Sequence, residues 1–166
     1  GKFYVPADII EEGDGTVGTD ILDGIKGQGT KADPYLIENA YDFVEFTNNL
    51  NSGETYEGKY IKQSSNIDLK GKTLYVGAKS TALFKGTFDG GHYTILNANI
   101  NGKGLFANTE EATIKNVGLY NANTNLINEA TNTNIENCFV RLGNGNLVNK
   151  YISNNGSHYI KNSFVD

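Results

Sequence analysis

The sequence predicts an all-β chain wound as a parallel β-helix, a solenoid with turns of about 21 residues and a capping helix at its N-terminal end. Three observations carry that expectation. An aliphatic–x–Asn pattern recurs at Ile95-Leu-Asn97, Ile114-Lys-Asn116, Ile135-Glu-Asn137 and Ile160-Lys-Asn162, with spacings of 19, 21 and 25 residues. A second series lies between these, at Leu83-Phe84, Leu105-Phe106, Leu126-Ile127 and Leu147-Val148, spaced 22, 21 and 21. Ahead of both series, one stretch has the 3.6-residue period of a helix.

In chain order, residues 1–26 read as an acidic, Gly-rich leader or linker, and residues 27–166 as the capped β-helix domain. Phe3-Tyr4-Val5 is a candidate strand of the leader, and Ile9-Ile10 a candidate packing pair. From Glu38 to Leu50, Tyr41, Phe43, Val44, Phe46 and Leu50 fall at helical spacing, and Gly53 stands where it ends the helix. A helix there covers an open core end that otherwise exposes unpaired strand edges. Tyr60-Ile-Lys-Gln63, Ile67-Asp-Leu69 and Leu74-Tyr-Val76 read as the first, irregular strands. Beyond them the interleaved series imply at least two strands per coil. Their connections (Asn-Thr-Asn, Gly-Asn-Gly) are poor helix formers, which disfavours a leucine-rich repeat.

The Asn column has a physical use. Parallel stacking sets equivalent residues about 4.8 Å apart. Asn97, Asn116, Asn137 and Asn162 are expected to form a ladder, each amide donating to one neighbour and accepting from the other. Asn is 23 of the 166 residues, which fits a fold made of short strands and tight corners.

Composition excludes several functions. The net charge of −5 and the lack of a basic cluster argue against nucleic acid. No apolar run approaches the roughly 20 residues that span a bilayer, so no membrane insertion is expected. No Met and no cleavable signal are visible, and the chain reads as a mature or excised segment of a longer protein. The single Cys138 excludes an internal disulfide framework and leaves the redox compartment open.

Candidate chemistry is sparse. His92 and His158 are each followed by Tyr, so the zinc-peptidase motif His-Glu-x-x-His is absent, and neither a metal nor a cofactor is expected. No Gly-x-Ser-x-Gly supports a triad. Cys138 shares a column with Val117 and Ser163 and reads as a small packing residue. The spacing of Glu11, Glu12, Asp14, Asp20 and Asp23 does not match an EF-hand loop, and Gly27-Gln-Gly29-Thr30 lacks the ending of a phosphate loop. Asp68, Asp89, Glu110 and Glu111 are the carboxylates a polysaccharide-processing enzyme would need as a pair, with Asp68 and Asp89 on successive turns. The ten Tyr residues are the better hint of binding. Tyr56, Tyr60, Tyr75, Tyr93, Tyr120 and Tyr151 fall near strand ends, and Tyr75, Tyr93 and Tyr120 are the candidate ligand contacts.

Taken in order, Gly29-Thr-Lys-Ala-Asp33-Pro34-Tyr35-Leu36-Ile37, the helix, Asn66-Ile67-Asp68-Leu69, Phe84-Lys-Gly86-Thr87-Phe88-Asp89-Gly90-Gly91-His92, Gly104-Leu105-Phe106 and Ala112-Thr113-Ile114-Lys-Asn116 resemble a known module. It is the right-handed β-helix module with Gly-Leu-Phe-Gly-type repeats of bacterial surface and adhesin-like proteins, found also upstream of the peptidase in IgA1-specific metallopeptidases. The resemblance covers about residues 27–120, and Ala107 departs from it where a second Gly is usual. It transfers no catalytic residue, and it implies a turn-forming role for Asp68 and Asp89. It implies a secreted or cell-surface address and a module that presents or binds within a larger parent protein. The expected function is therefore non-catalytic adhesion or binding of polysaccharide or of a host or neighbouring-cell protein; a passive stalk and an enzyme using Asp68 and Asp89 are the alternatives.

Overall fold

Short runs with one inward aliphatic between polar neighbours cannot bury a two-sided strand. They can line one wall of a hollow coil, which is what they do here. The computed structural model describes residues 24–70, 73–74 and 82–166. Tyr75, the strand expected around Tyr75-Val76 and residues 1–23 of the leader lie outside the described residues.

In chain order the elements are β1 (Tyr35–Ile37), α1 (Ala40–Asn51), β2 (Tyr60–Gln63), β3 (Ile67–Asp68), β4 (Thr73–Leu74), β5 (Thr87–Asp89), β6 (Thr94–Leu96), β7 (Asn99–Ile100), β8 (Gly104–Glu110), β9 (Thr113–Lys115), β10 (Gly118–Tyr120), β11 (Asn125–Thr131), β12 (Asn134–Glu136), β13 (Phe139–Arg141), β14 (Val148–Ile152), β15 (Ile160–Lys161) and β16 (Phe164–Val165). Successive coils stack them into a first sheet, β1-β2-β5-β9-β12-β15, a second, β3-β6-β10-β13-β16, and a third, β8-β11-β14, with a small β4-β7 pair beside them. All strand pairs of these sheets are parallel, and the chain is a β-solenoid of about five turns.

The core is a set of columns. Ile61, Phe88, Ile114, Ile135 and Ile160 stack along the first sheet; Ile67, Ile95, Leu119, Val140 and Val165 along the second; Phe106, Ile127 and Val148 along the third. A buried aliphatic of this size contributes roughly 1.5–3 kcal/mol, so repetition of one cheap motif builds the whole core.

The helix closes the first end. Asn39 Oδ1 accepts from the Asp42 amide, and Asp42 Oδ2 accepts from the Glu38 amide, so two end donors are satisfied reciprocally. The Ser52 amide reaches back to Asn48 O, and Gly53, at φ 103°, ends the element. Ala40, Phe43, Phe46 and Leu50 face inward, and the Phe46 ring meets Phe84, Phe88 and Phe106. Lys26 bridges to Leu36 and Ile25 packs on the core, so the body takes in residues assigned from sequence to the leader. Tyr56 is a second departure from the expected strand-end aromatics: it lies inside, 7% exposed, with its hydroxyl accepting from Asn49 Nδ2. Burial raises its pKa above the ordinary phenol value.

The corners between sheets need a left-handed residue. Asn116, Asn137 and Asn162 supply it after the first sheet, Asn97, Asn121 and Leu142 after the second, and Glu111 and Asn132 after the third, with φ between 46° and 57°. Leu142 occupies its corner by backbone pairing alone: its amide donates to Asp166 O, as that of Asn121 does to Arg141 O. For an ordinary side chain this conformation costs about 1–2 kcal/mol. Leu142→Asn therefore raises the melting temperature and adds about 1 kcal/mol of stability. Leu142→Ala, which keeps the Cβ, brings no such gain in the same melts.

Candidate functional site

Polar side chains at the corners are organised before any ligand is considered. After the first sheet, Asn116 Nδ2 donates to Asp89 Oδ1 at 2.9 Å and Asn137 Nδ2 donates to Asn116 Oδ1 at 3.0 Å. Asn162 follows in the same corner with φ 52°. After the second sheet, Asn97 Nδ2 donates to Asp68 Oδ1 at 3.0 Å and Asn121 Nδ2 to Asn97 Oδ1 at 2.7 Å. After the third, Asn132 Nδ2 donates to Glu111 Oε1 at 3.3 Å.

Asn97 is thus the correction to the predicted column. It belongs to a different ladder from Asn116 and Asn137, because Ile95 is in register with Leu119 and not with Ile114. The 19-residue spacing measured from Ile95 was less than one coil. Two corners of one coil share the same chemistry, so an aliphatic–x–Asn motif recurs within a coil as well as between coils.

The proposed carboxylate pair is also redistributed. Asp68 closes β3 in the second sheet and Asp89 closes β5 in the first, so they sit at different corners. Each Oδ1 already takes two donors: Lys70 N and Asn97 Nδ2 on Asp68, Gly91 N and Asn116 Nδ2 on Asp89. Glu111 heads the third ladder, while Glu110 pairs by backbone with Thr131.

One corner is the longest of its column. Between β5 and β6 the chain spends four residues, Gly90–Tyr93, where the equivalent turns at Asn116-Val117 and Asn137-Cys138 spend two. Gly91 and His92 both take positive φ, at 63° and 66°. The enlarged turn borders an open cleft of about 460 Å³ lined by Lys62, Ser64, Asp89, His92, Tyr93 and Asn116, among others. His92 reaches past Asn116 to the next coil, its Nε2 lying 2.9 Å from Asn137 Nδ2. An amide nitrogen only donates, so the pair hydrogen-bonds where Nε2 accepts. The cleft therefore presents a half-buried Tyr, an ammonium, a carboxylate, an imidazole and a hydroxyl on one rigid corner.

Of the tyrosines expected to bind, Tyr93 is in this cleft and Tyr120 is not. Tyr120 closes β10 on the outer column of the second sheet, with the Arg141 guanidinium 5.8 Å over its ring. The two lie at opposite ends of neighbouring strands and do not form one platform. Sequence reasoning missed His92 and Lys62. The signal available for His92 was the longer Asp89-Gly-Gly-His-Tyr93 turn; Lys62 reaches the cleft only through parallel register with Asp89.

A larger concavity, about 800 Å³, lies between the helix end and Gly24, and it gathers none of the predicted site residues. Among the described residues no three His, Cys, Asp or Glu side chains are placed to hold a metal ion, and no helix is long and apolar enough to cross a membrane. Comparison with protein-family models, with curated proteins and with solved structures finds no match.

Cys138 is 1% exposed, and its Sγ lies 3.3 Å from Glu136 O and 3.6 Å from Ile114 O. Burial pushes the thiol up to about 12 from 9.0. A raised acid pKa means the unfolded chain releases the proton first as pH rises. Stability is therefore lost between about pH 9 and 12, by at most about 1.4 kcal/mol per pH unit. Denaturation across that range shows a shallower slope in Cys138→Ser than in the parent, the buried Tyr56 phenol leaving the remainder in both. The corner ladder has its own test: Asn116→Leu loses about 1–3 kcal/mol, Asn116→Gly less, because Gly keeps the left-handed backbone and gives up only the rung. Equal stability of parent and Asn116→Leu in urea melts removes the rung from the account.

Proposed function

We propose that this chain is a non-catalytic module of a bacterial cell-surface or secreted multi-modular protein, and that it acts in adhesion by binding carbohydrate at the cleft beside Tyr93. The observation that carries the reading is the use of the carboxylates. Asp68 and Asp89 head separate ladders at separate corners, which serves corner geometry and not the facing pair that glycoside cleavage requires. The same arrangement leaves a shallow, rigid, mixed-polarity cleft with one aromatic. An amphipathic ring flanked by hydrogen-bonding groups of both kinds suits the apolar face and hydroxyl edge of a sugar.

The address and parent context rest on resemblance. The helix-then-coil order and the Gly104-Leu105-Phe106 run that opens β8 resemble those of the Gly-Leu-Phe-Gly-type modules described above. In such a protein the solenoid supplies a stiff support, and specificity comes from what is built on its corners. A passive stalk is the competing reading, favoured by the openness of the cleft.

Retention on a panel of soluble and insoluble polysaccharides, read together with thermal shift, separates the two. Binding should appear for at least one glycan, and Tyr93→Ala should weaken it about tenfold with the melting temperature unchanged. Tyr120→Ala should leave retention intact. A cooperative melt without retention on any polysaccharide makes the chain a spacer or a protein-binding module.

A further inference from the structure

The corner after the second sheet carries more amides than its backbone requires. Asn97, Asn121 and Leu142 take the left-handed turn there. Two residues on, Asn99, Asn123 and Asn144 repeat in the same three coils, and none of them has a positive φ. Asn123 is tied into the fold: its Nδ2 donates to Asn99 Oδ1 at 3.0 Å and to Ile100 O at 3.1 Å, and its Oδ1 accepts from the Ile100 amide at 2.9 Å. Asn144 is held by its backbone amide, which donates to Ala122 O. The two columns flank Ala98, Ala122 and Gly143 and border a groove of about 370 Å³ that begins at Lys70 and follows the solenoid axis, one coil after another. Its floor is close to bare backbone: Ala98 and Ala122 are buried, and a Cβ on Gly143 would stand 2.5 Å from Ala122 O.

Leu142 is out of place in this corner. It takes the left-handed backbone without the side-chain hydrogen bond that offsets its cost elsewhere, and it ends the ladder. Asn121 Nδ2 donates to Asn97 Oδ1, but a leucine stands where a further Asn would donate to Asn121 Oδ1. The Leu142 side chain is 62% exposed, the most of any large apolar residue among those described. That exposure belongs to the corner. The coil above reaches it, with Asp166 O accepting from the Leu142 amide, and Asn121 is exposed in the coil below. A strained, outward-facing residue that breaks a ladder at the rim of a groove points to a use outside the fold.

We propose that this groove is a binding site for a linear polysaccharide lying along the solenoid axis, with Leu142 against the apolar face of one sugar and the Asn121 and Asn144 amides on its hydroxyls. The site is separate from the Tyr93 cleft and shares with that reading only the class of ligand. An apolar contact with a few fixed polar groups is the common make-up of a small-molecule site, and the groove falls in the usual range of about 300–1,000 Å³. Coils rise about 4.8 Å each, close to the advance of one ring in an extended β-linked glycan, so successive sugars meet successive coils in step. An extended peptide, at about 3.3 Å per residue, meets each coil at a different phase. The bonds from Asn97 to Asp68 and from Asn123 to Ile100 fix both walls in advance, which lowers the ordering cost of binding.

NMR titration of the chain with β-linked gluco-, xylo- and chito-oligosaccharides of graded length tests the site. Shifts are expected at the Ala98, Ala122 and Gly143 amides, and affinity should rise with each added sugar up to four, one for each coil that lines the groove, and then level off. Leu142→Asn, which melts above the parent, should bind the best oligosaccharide about tenfold more weakly, so stability and binding move in opposite directions. Asn144→Ala should weaken binding several-fold with the melting temperature unchanged. Tyr93→Ala distinguishes the two sites. Binding lost in Tyr93→Ala and unaltered in Leu142→Asn overturns this inference and leaves the cleft reading standing; the reverse supports the groove and removes the cleft. Affinity independent of chain length, or no binding in any of the three series, overturns the groove as a polysaccharide site.

Discussion

The constraint on which the rest of this structure depends is the corner. A chain that coils around a narrow core must change direction after every two to seven residues, and at each corner one residue takes a left-handed backbone. Of the ten non-glycine residues with positive φ, eight stand at the three corners. Asn is suited to them twice over: it tolerates the backbone, and its amide satisfies the side chains above and below. The high Asn content follows from this geometry.

The ladders have a direction. Each amide donates toward the preceding coil, from Asn137 to Asn116 to Asp89 and from Asn121 to Asn97 to Asp68. The first rung therefore receives a donor and has no earlier rung to donate to. An Asn in that place would hold an idle amide hydrogen pair, whereas a carboxylate is acceptor-only. Asp68, Asp89 and Glu111 occupy the three first rungs. What reads in the sequence as a set of candidate catalytic acids is the terminal condition of three hydrogen-bond chains.

Much of the fold was legible because an inward aliphatic and a corner Asn are two residues apart at Ile95-Asn97, Ile114-Asn116, Ile135-Asn137 and Ile160-Asn162. The helix was legible from the spacing of Phe43, Phe46 and Leu50. Register was harder. Ile95-Leu96-Asn97 and Ile114-Lys115-Asn116 are chemically alike and belong to different sheets, and local pattern carries no label for the corner it serves. Coil length does not rescue the assignment, since insertions lengthen it: 26 residues separate the register partners Asp89 and Lys115 but 21 separate Lys115 from Glu136. Tyr56 escaped for another reason. Its inward turn depends on a left-handed backbone and on the Asn49 amide, both set by tertiary packing.

The same insertions locate the cleft. A strictly regular solenoid presents the same narrow corner on every coil and offers a ligand no concavity. Between β5 and β6 the chain adds two residues, and Gly90 and Gly91 make the excursion possible: a Cβ on Gly90 would stand 2.3 Å from Asn116 O, and one on Gly91 2.6 Å from Gln63 O. The widened turn lifts His92 over one rung to meet Asn137 and sets Tyr93 beside Asp89. Because the rungs beneath are already fixed, this excursion is held from below at two coils, and the side chains it displays are ordered without help from a ligand. Little conformational entropy then remains to be lost on binding, which favours the contact proposed for this cleft.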